Sequence, residues 1–241
     1  MKKVLVLTDN EQQLWGFRTL IAAKEIDASI QYAYSEGNVV FGEKFKSSPW
    51  IIPLRIRDHM KELKEYDLII SLHCKQVFPA ALVMAVRCVN IHPGYNPYNR
   101  GWFPHIFSII NGLPCGATIH EMDTQLDHGP VIYKEVVEIK LWDTSHSLYK
   151  RVLEAELKLL DKHLEEIIEG NYQTSPCKEG NINRREDFLT LCKIDLDDRD
   201  TFRNHINRLK ALTHGRQCNA YIVDPETGHK IYLKLELELE S

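Results

Sequence analysis

The sequence predicts an α/β fold with a doubly wound, mostly parallel central sheet, followed by a short C-terminal helix and β-hairpin. Three observations predict it. Short apolar runs at 3–7, 29–34, 67–73 and 88–92 are separated by segments with helical spacing, the alternation that builds parallel sheets. The run at 3–7 reads as a buried-type apolar strand and that at 67–73 as an apolar run flanked by polar residues, which suits strands covered on both faces. Beyond residue 200 the pattern changes to one helix and two strands joined by Asp224-Pro225-Glu226-Thr227-Gly228.

Taken in order, Asp9 and Asn10 supply the cap of a helix running through Trp15, Phe17, Leu20 and Ile21. Residues 37–53 read as a loop-rich stretch closing on Trp50-Ile51-Ile52, and a helix bearing Met60 and Leu63 precedes the strand at 67–73. A helix over 79–87, with Pro79 in its first turn, delivers the chain to the strand at 88–92, which Pro93 and Gly94 stop. Residues 102–110 are helical until Asn111-Gly112, and strands at 116–122 and 129–136 flank a loop at 123–129. A long amphipathic helix covers 145–169, with Tyr149, Leu153, Leu157, Leu160, Leu164 and Ile167 on one side.

This pattern implies a main domain over 1–170, a linker over 171–199, and a helix with a hairpin over 200–241. In the last strand, at 230–239, Ile231, Leu233, Leu235, Leu237 and Leu239 share one face. So small a hairpin cannot bury that face alone, so it is expected to pack on the main domain or to join a homodimer.

The net charge of −4 over 241 residues demands no nucleic-acid partner, and no polybasic anchor calls for a membrane surface. The apolar run after Met1-Lys2-Lys3 ends at Thr8, and no run is long enough to span a bilayer, so the cytoplasm is expected. Six cysteines without a CxxC pair fit reduced thiols.

Asn90 and His92 lie two apart at a strand end, so an amide and an imidazole project from the same face. Imidazole can take the proton that an amine loses as it attacks a carbonyl, and an amide N–H can hold the oxyanion that forms. Asp127, on the loop between two strands, would orient His92. With no Ser or Cys in a nucleophile elbow, direct transfer between two bound substrates is preferred over an acyl-enzyme. On spacing alone, Asn-x-His can equally be a turn with a surface histidine. The histidines at 92, 105, 120 and 128 show no HxH or HxxxH spacing, so no metal is expected. Trp102 and Phe103 are either core residues at a helix start or an aromatic wall for a ring substrate.

The run Asn90-Ile91-His92-Pro93-Gly94 through Pro97 to Gly101, with Gln125-Leu126-Asp127-His128-Gly129-Pro130-Val131-Ile132, resembles the folate-dependent formyltransferases over roughly 1–170. The resemblance implies a Rossmann-like formyltransferase domain, a catalytic triad of Asn90, His92 and Asp127, and N10-formyltetrahydrofolate as formyl donor. It places the pterin between a loop holding Cys74, Lys75, Gln76 and Val77 and a loop holding Met122, Asp123 and Thr124. The turn after the first strand lacks the Gly-rich loop of the glycinamide ribonucleotide branch, and the acidic, short C-terminal part differs from the methionyl-tRNA branch. Residues 71–79, 95–104 and 218–221 are instead similar to bacterial nucleotide-sugar N-formyltransferases. The implied acceptor is a dTDP-linked amino-dideoxy sugar of O-antigen and lipopolysaccharide building, dTDP-4-amino-4,6-dideoxyglucose before its 3-amino counterpart. Asn10, Trp15, Tyr95, Arg100, Trp102, Phe103, Asn219 and Tyr221 are the candidate contacts to it. A formyl-folate hydrolase and a folate-binding module without turnover are the other readings.

Overall fold

The computed structural model describes residues 1–238 and 240; Leu239, expected on the last strand, lies outside them. The first half-winding comprises β1 (Lys2–Thr8), α1 (Glu11–Ala23), β2 (Ala28–Ser35), α2 (Val39–Phe45) and β3 (Ile51–Leu54). The second comprises α3 (Met60–Leu63), β4 (Leu68–Leu72), α4 (Ala80–Val83) and β5 (Arg87–His92). Then follow β6 (Arg100–Gly101), α5 (Pro104–Asn111), β7 (Gly116–Glu121), β8 (Val131–Val136) and α6 (Ser145–Glu169). The C-terminal part adds β9 (Ile182–Asn183), α7 (Arg185–Cys192), α8 (Phe202–Leu212), β10 (Thr213–His214), β11 (Gln217–Cys218), β12 (Ala220–Val223) and β13 (Lys230–Leu233).

Seven strands form the central sheet in the order β3-β2-β1-β4-β5-β7-β8. The pairs from β3 to β5 are parallel, whereas β7 and β8 join antiparallel. The chain moves outward one way from β1 and the other way from β4, so the winding reverses between them. A crevice outside the carboxyl ends of strands at such a switch point is where open α/β sheets bind ligands.

All five residues of β4 are buried, because apolar side chains cover both of its faces. On one face Leu72, Val89 and Ile91 pack with Leu14, Ile106, Leu148 and Leu160 from α1, α5 and α6. On the other, Ile69 and Cys88 pack with Leu82, Phe78 and Met122. Asn10 caps α1 by accepting from Gln13 N at 3.2 Å. Thr144 and Ser147 form a reciprocal capping box on α6, whose far end stops at Gly170.

Four expectations need correction. Residues 37–53 hold α2 and β3 rather than a loop: Asn38 caps Phe41 N, and Phe41 and Phe45, one turn apart, both enter the core. The helix expected over 79–87 is a single turn, because Arg87 already pairs with Leu68 and donates to the Ile167 and Ile168 carbonyls at the end of α6. The stretch expected as linker holds β9, which pairs with β6, and α7, whose Phe188 lies 4.7 Å from the Phe103 ring. Finally, β13 stops at Leu233, because its partner β12 begins opposite at Ala220 and offers no further strand. The C-terminal elements gather on a small cluster of Cys192, Leu212 and Ala220, leaving Ile231 and Tyr232 exposed.

Candidate active site

The end of β5 carries the expected pair. Asn90 and His92 are 8% and 4% exposed, on the face shared with Cys88, and they stand opposite His120 and Thr118 of β7. A register shift between Ile119 and His120 breaks the β7–β8 ladder here, the kind of irregularity that re-aims a side chain beside a site. His120 Nδ1 donates to the Glu121 carbonyl at 2.6 Å, which leaves Nε2 to accept from Asn90 Nδ2 at 3.2 Å. Burial, and next to it the nearby His92, lower the His120 pKa to about 4, so this imidazole stays neutral and acts as a fixed acceptor.

The second amide hydrogen of Asn90 goes to Asp127 Oδ1 at 3.1 Å, and that oxygen lies 3.6 Å from His92 Nδ1. Asp127 Oδ2 accepts from Gly101 N at 3.2 Å, and its carbonyl accepts from Asn96 Nδ2 at 2.8 Å. Asp127 sits at φ +48°, in the left-handed region, a costly conformation that these bonds hold in place. Asn96 is fixed in turn by Thr118 Oγ1, which bridges Asn96 N and the Gly94 carbonyl.

His92 Nε2 is buried and, among the described residues, has no hydrogen-bond partner. A Cβ at Gly94 would overlap Nε2 and lie 2.8 Å from His92 Cδ2, so glycine leaves the space in front of the ring open. Acid, imidazole and amide are therefore brought together as the sequence implies, with the unpartnered Nε2 beside Gly94.

Of the loop candidates, Cys74 and Met122 both pack against one apolar cluster on the Asn90 face. Burial pushes the Cys74 thiol up to about 11, so it is a neutral wall and no nucleophile. Lys75 N donates to Asp9 Oδ2 at 2.8 Å, and Gln76 spends its amide on Ser35 Oγ and the Leu54 and Ile56 backbone. Val77 is exposed. Asp123 accepts from His128 Nδ1 at 2.7 Å and from Gln125 N, and Thr124 follows it on the same loop.

The acceptor candidates divide. Asn10 stands at the head of α1, with Nδ2 donating to the Tyr149 hydroxyl at 3.4 Å. Tyr95 lies under Lys134 Nζ at 4.3 Å, Arg100 keeps a buried Nε without a partner among the described residues, and Trp102 and Phe103 are 43% and 37% exposed. Tyr95, Arg100, Trp102 and Phe103 lie on the segment that follows His92 and carries the Gly101 N–H to Asp127. Trp15 instead packs on Trp50 and Phe45, with the Arg18 guanidinium 3.7 Å over Trp50. Asn219 donates to the Leu212 carbonyl, and Tyr221 lies in the C-terminal hairpin beside Tyr232 and Lys230. All three make local packing contacts, and Trp15 stays 44% exposed. Sequence reasoning assigned no role to Asn96, Thr118 or the Gly101 N–H, and considered His120 only as a metal ligand. The period-two match of Thr118 and His120 to His92 and Asn90 was the available signal.

Among the described residues, no group of three or more His, Cys, Asp or Glu side chains is placed to hold a metal ion, and no helix is long and apolar enough to cross a membrane. Two surface hollows of about 570 and 500 Å³ run along Tyr133 on β8, and neither is lined by Asn90, His92 or Asp127.

The family model described as formyl transferase matches residues 24–164, and one described as the N-formyltransferase dimerization C-terminal domain matches 187–239. A dTDP-4-amino-4,6-dideoxyglucose formyltransferase of Mycobacterium bovis is 43% identical over 99% of this chain and 97% of its own. Among solved structures, a 4-N formyltransferase from Francisella tularensis superposes with a TM-score of 0.94 at 42% identity, covering 99% of both chains. A sugar N-formyltransferase from a Shewanella species gives 0.94 at 40% identity, covering 100% of both. With a family model over more than half its length and near-complete alignment to these relatives, the chain belongs to the formyl transferase family and is an N-formyltransferase.

Proposed function

We propose that the enzyme moves a formyl group from N10-formyltetrahydrofolate to the 4-amino group of dTDP-4-amino-4,6-dideoxyglucose, a step of O-antigen and lipopolysaccharide building. The relatives' acceptor and the shared apolar cluster under the Cys74 and Met122 loops support this reading. The observation that carries it is the buried, unpartnered His92 Nε2, backed by Asp127 on the other ring nitrogen.

As the neutral sugar amine attacks the formyl carbon, a C–N bond forms and the amine proton passes to His92 Nε2. The imidazolium then draws Asp127 Oδ1 across the 3.6 Å gap to Nδ1, while Gly101 N keeps the other carboxylate oxygen in place. Losing Asp127 Oδ1 frees one Asn90 N–H to bind the oxyanion, a donor of a kind worth about 3 kcal/mol of barrier. The C–N bond to folate N10 breaks as the proton returns from His92 to that nitrogen. His120 holds Asn90's other N–H throughout. The C-terminal region, matched by the dimerization domain and exposing Ile231 and Tyr232, supports a homodimer.

The test offers the donor with either the 4-amino or the 3-amino dTDP sugar and identifies the formylated product by mass spectrometry and NMR. Formamido product from the 4-amino sugar is expected; exclusive formylation of the 3-amino sugar would replace the acceptor.

A further inference from the structure

The carboxyl ends of β1 and β4, at the switch point of the sheet, hold a second polar group that the chemistry above does not use. The last paired residues of β4 and β5 are Leu72 and Ile91, so His73 stands level with His92 at the neighbouring strand end. His73 leaves the strand at φ +62°, a left-handed conformation costly for a non-glycine residue and concentrated at functional sites. The turn sends its ring away from the Asn90 face and toward α6. There His73 Nε2 meets Glu156 Oε2 at 2.7 Å, and Nδ1 lies 3.3 Å from the Tyr149 hydroxyl. Tyr149 in turn accepts from Asn10 Nδ2 at 3.4 Å.

Glu156 is 0% exposed, and its Oε1 has no partner among the described residues. A buried carboxylate accepts only, so it holds the His73 proton on Nε2 and leaves Nδ1 as an acceptor. Burial, and next to it the Glu156 charge, push the Tyr149 hydroxyl well above its ordinary value, so it stays protonated and donates to Nδ1. The bonds thus run one way, from Asn10 through Tyr149 and His73 to Glu156. One Asn10 hydrogen is committed to Tyr149, while Oδ1 caps Gln13 N, so a single N–H is left to donate at the crevice. The ring of His105, one residue past Pro104 in front of Gly94, closes against Tyr149 at 4.8 Å.

We propose that Glu156, His73 and Tyr149 are positioning residues that fix the Asn10 amide as a donor to an oxygen of the sugar nucleotide, and so set the pose of the acceptor but not of the formyl donor. Folate and acceptor then reach His92 from opposite faces of the sheet. This rests on the acceptor reading above and adds to it three residues that touch neither substrate.

The test is steady-state kinetics on full-length Tyr149→Phe, Glu156→Gln and Asn10→Ser, which keeps the helix cap but removes the amide, with the double variant Asn10→Ser/Tyr149→Phe, each checked for an unchanged melting temperature. The expected result is a rise of about tenfold in KM for the amino sugar, the effect of about one hydrogen bond, with KM for the formyl donor within about twofold. The double variant should lose no more than the worse single one, as members of one chain do. Additive losses, or equal rises in KM for both substrates, would overturn the relay. A 15N spectrum gives a readout independent of turnover: His73 protonated at Nε2 is expected, and protonation at Nδ1 overturns the relay whatever the acceptor is. If the wild-type enzyme formylates no dTDP-amino sugar, the functional reading fails, and the acceptor role with it.

Discussion

Asp127 Oδ1 lies between two groups, 3.1 Å from Asn90 Nδ2 and 3.6 Å from His92 Nδ1, and among the described residues is bonded to the amide only. One carboxylate oxygen can thus serve Asn90 in the resting enzyme and His92 once the ring is charged. Asp127→Asn removes the charge that would draw the oxygen across. Its kcat should fall on the order of 10³-fold, while KM for either substrate changes by about threefold or less. A fall confined to KM would show that Asp127 binds substrate instead.

Gly94 gives a steric test of the same base. A methyl group there would overlap His92 Nε2, and the Pro104 side chain 3.1 Å away blocks retreat. Gly94→Ala should keep the circular dichroism of the parent, melt a few degrees lower at about 1–3 kcal/mol of overpacking, and lose about 10²-fold or more in kcat. Unchanged turnover would mean that the proton leaves by another path.

Acid should weaken the fold through two buried imidazoles. Burial, and next to it His214, lower the His105 pKa from 6.5 to about 3, and His120 is held at about 4. Between those values and 6.5 the unfolded chain takes up protons that the folded one refuses, so stability is full above that range and declines as pH drops through it. Urea midpoints measured from pH 7.5 down to pH 5 should therefore decrease, and His105→Gln should decrease less steeply. Parallel slopes for the two proteins would refute the assignment to His105.

The hairpin makes a separable prediction. Ile231 is 49% exposed on β13, within the region that matches the dimerization domain. A charge there should split the assembly, so Ile231→Glu is expected to halve the mass seen by light scattering without loss of helix content. A parent that is already a monomer would contradict it.

Much of this was legible in the sequence. The apolar runs at 4–7 and 68–70 pointed to sheet interior, and the two-residue spacing of Asn90 and His92 fixed their common face. What escaped was long-range. The two turns of α2 have no periodicity long enough to detect, and α7 is held by Phe188 against Phe103, a contact between residues 85 positions apart in the sequence. Glu156 reads as one more polar position on an amphipathic helix, and only the left-handed turn at His73 makes it a partner. The neighbours of Trp15 escaped for the same reason: its ring packs on Trp50 and Phe45, which the sequence keeps 30 residues or more away.

The most direct measurement is tetrahydrofolate release from N10-formyltetrahydrofolate, with and without dTDP-4-amino-4,6-dideoxyglucose, in the parent enzyme and in His92→Ala. Direct transfer predicts release only when the sugar is present and its loss in the variant. Release that ignores the sugar, or that survives without the imidazole, would contradict it.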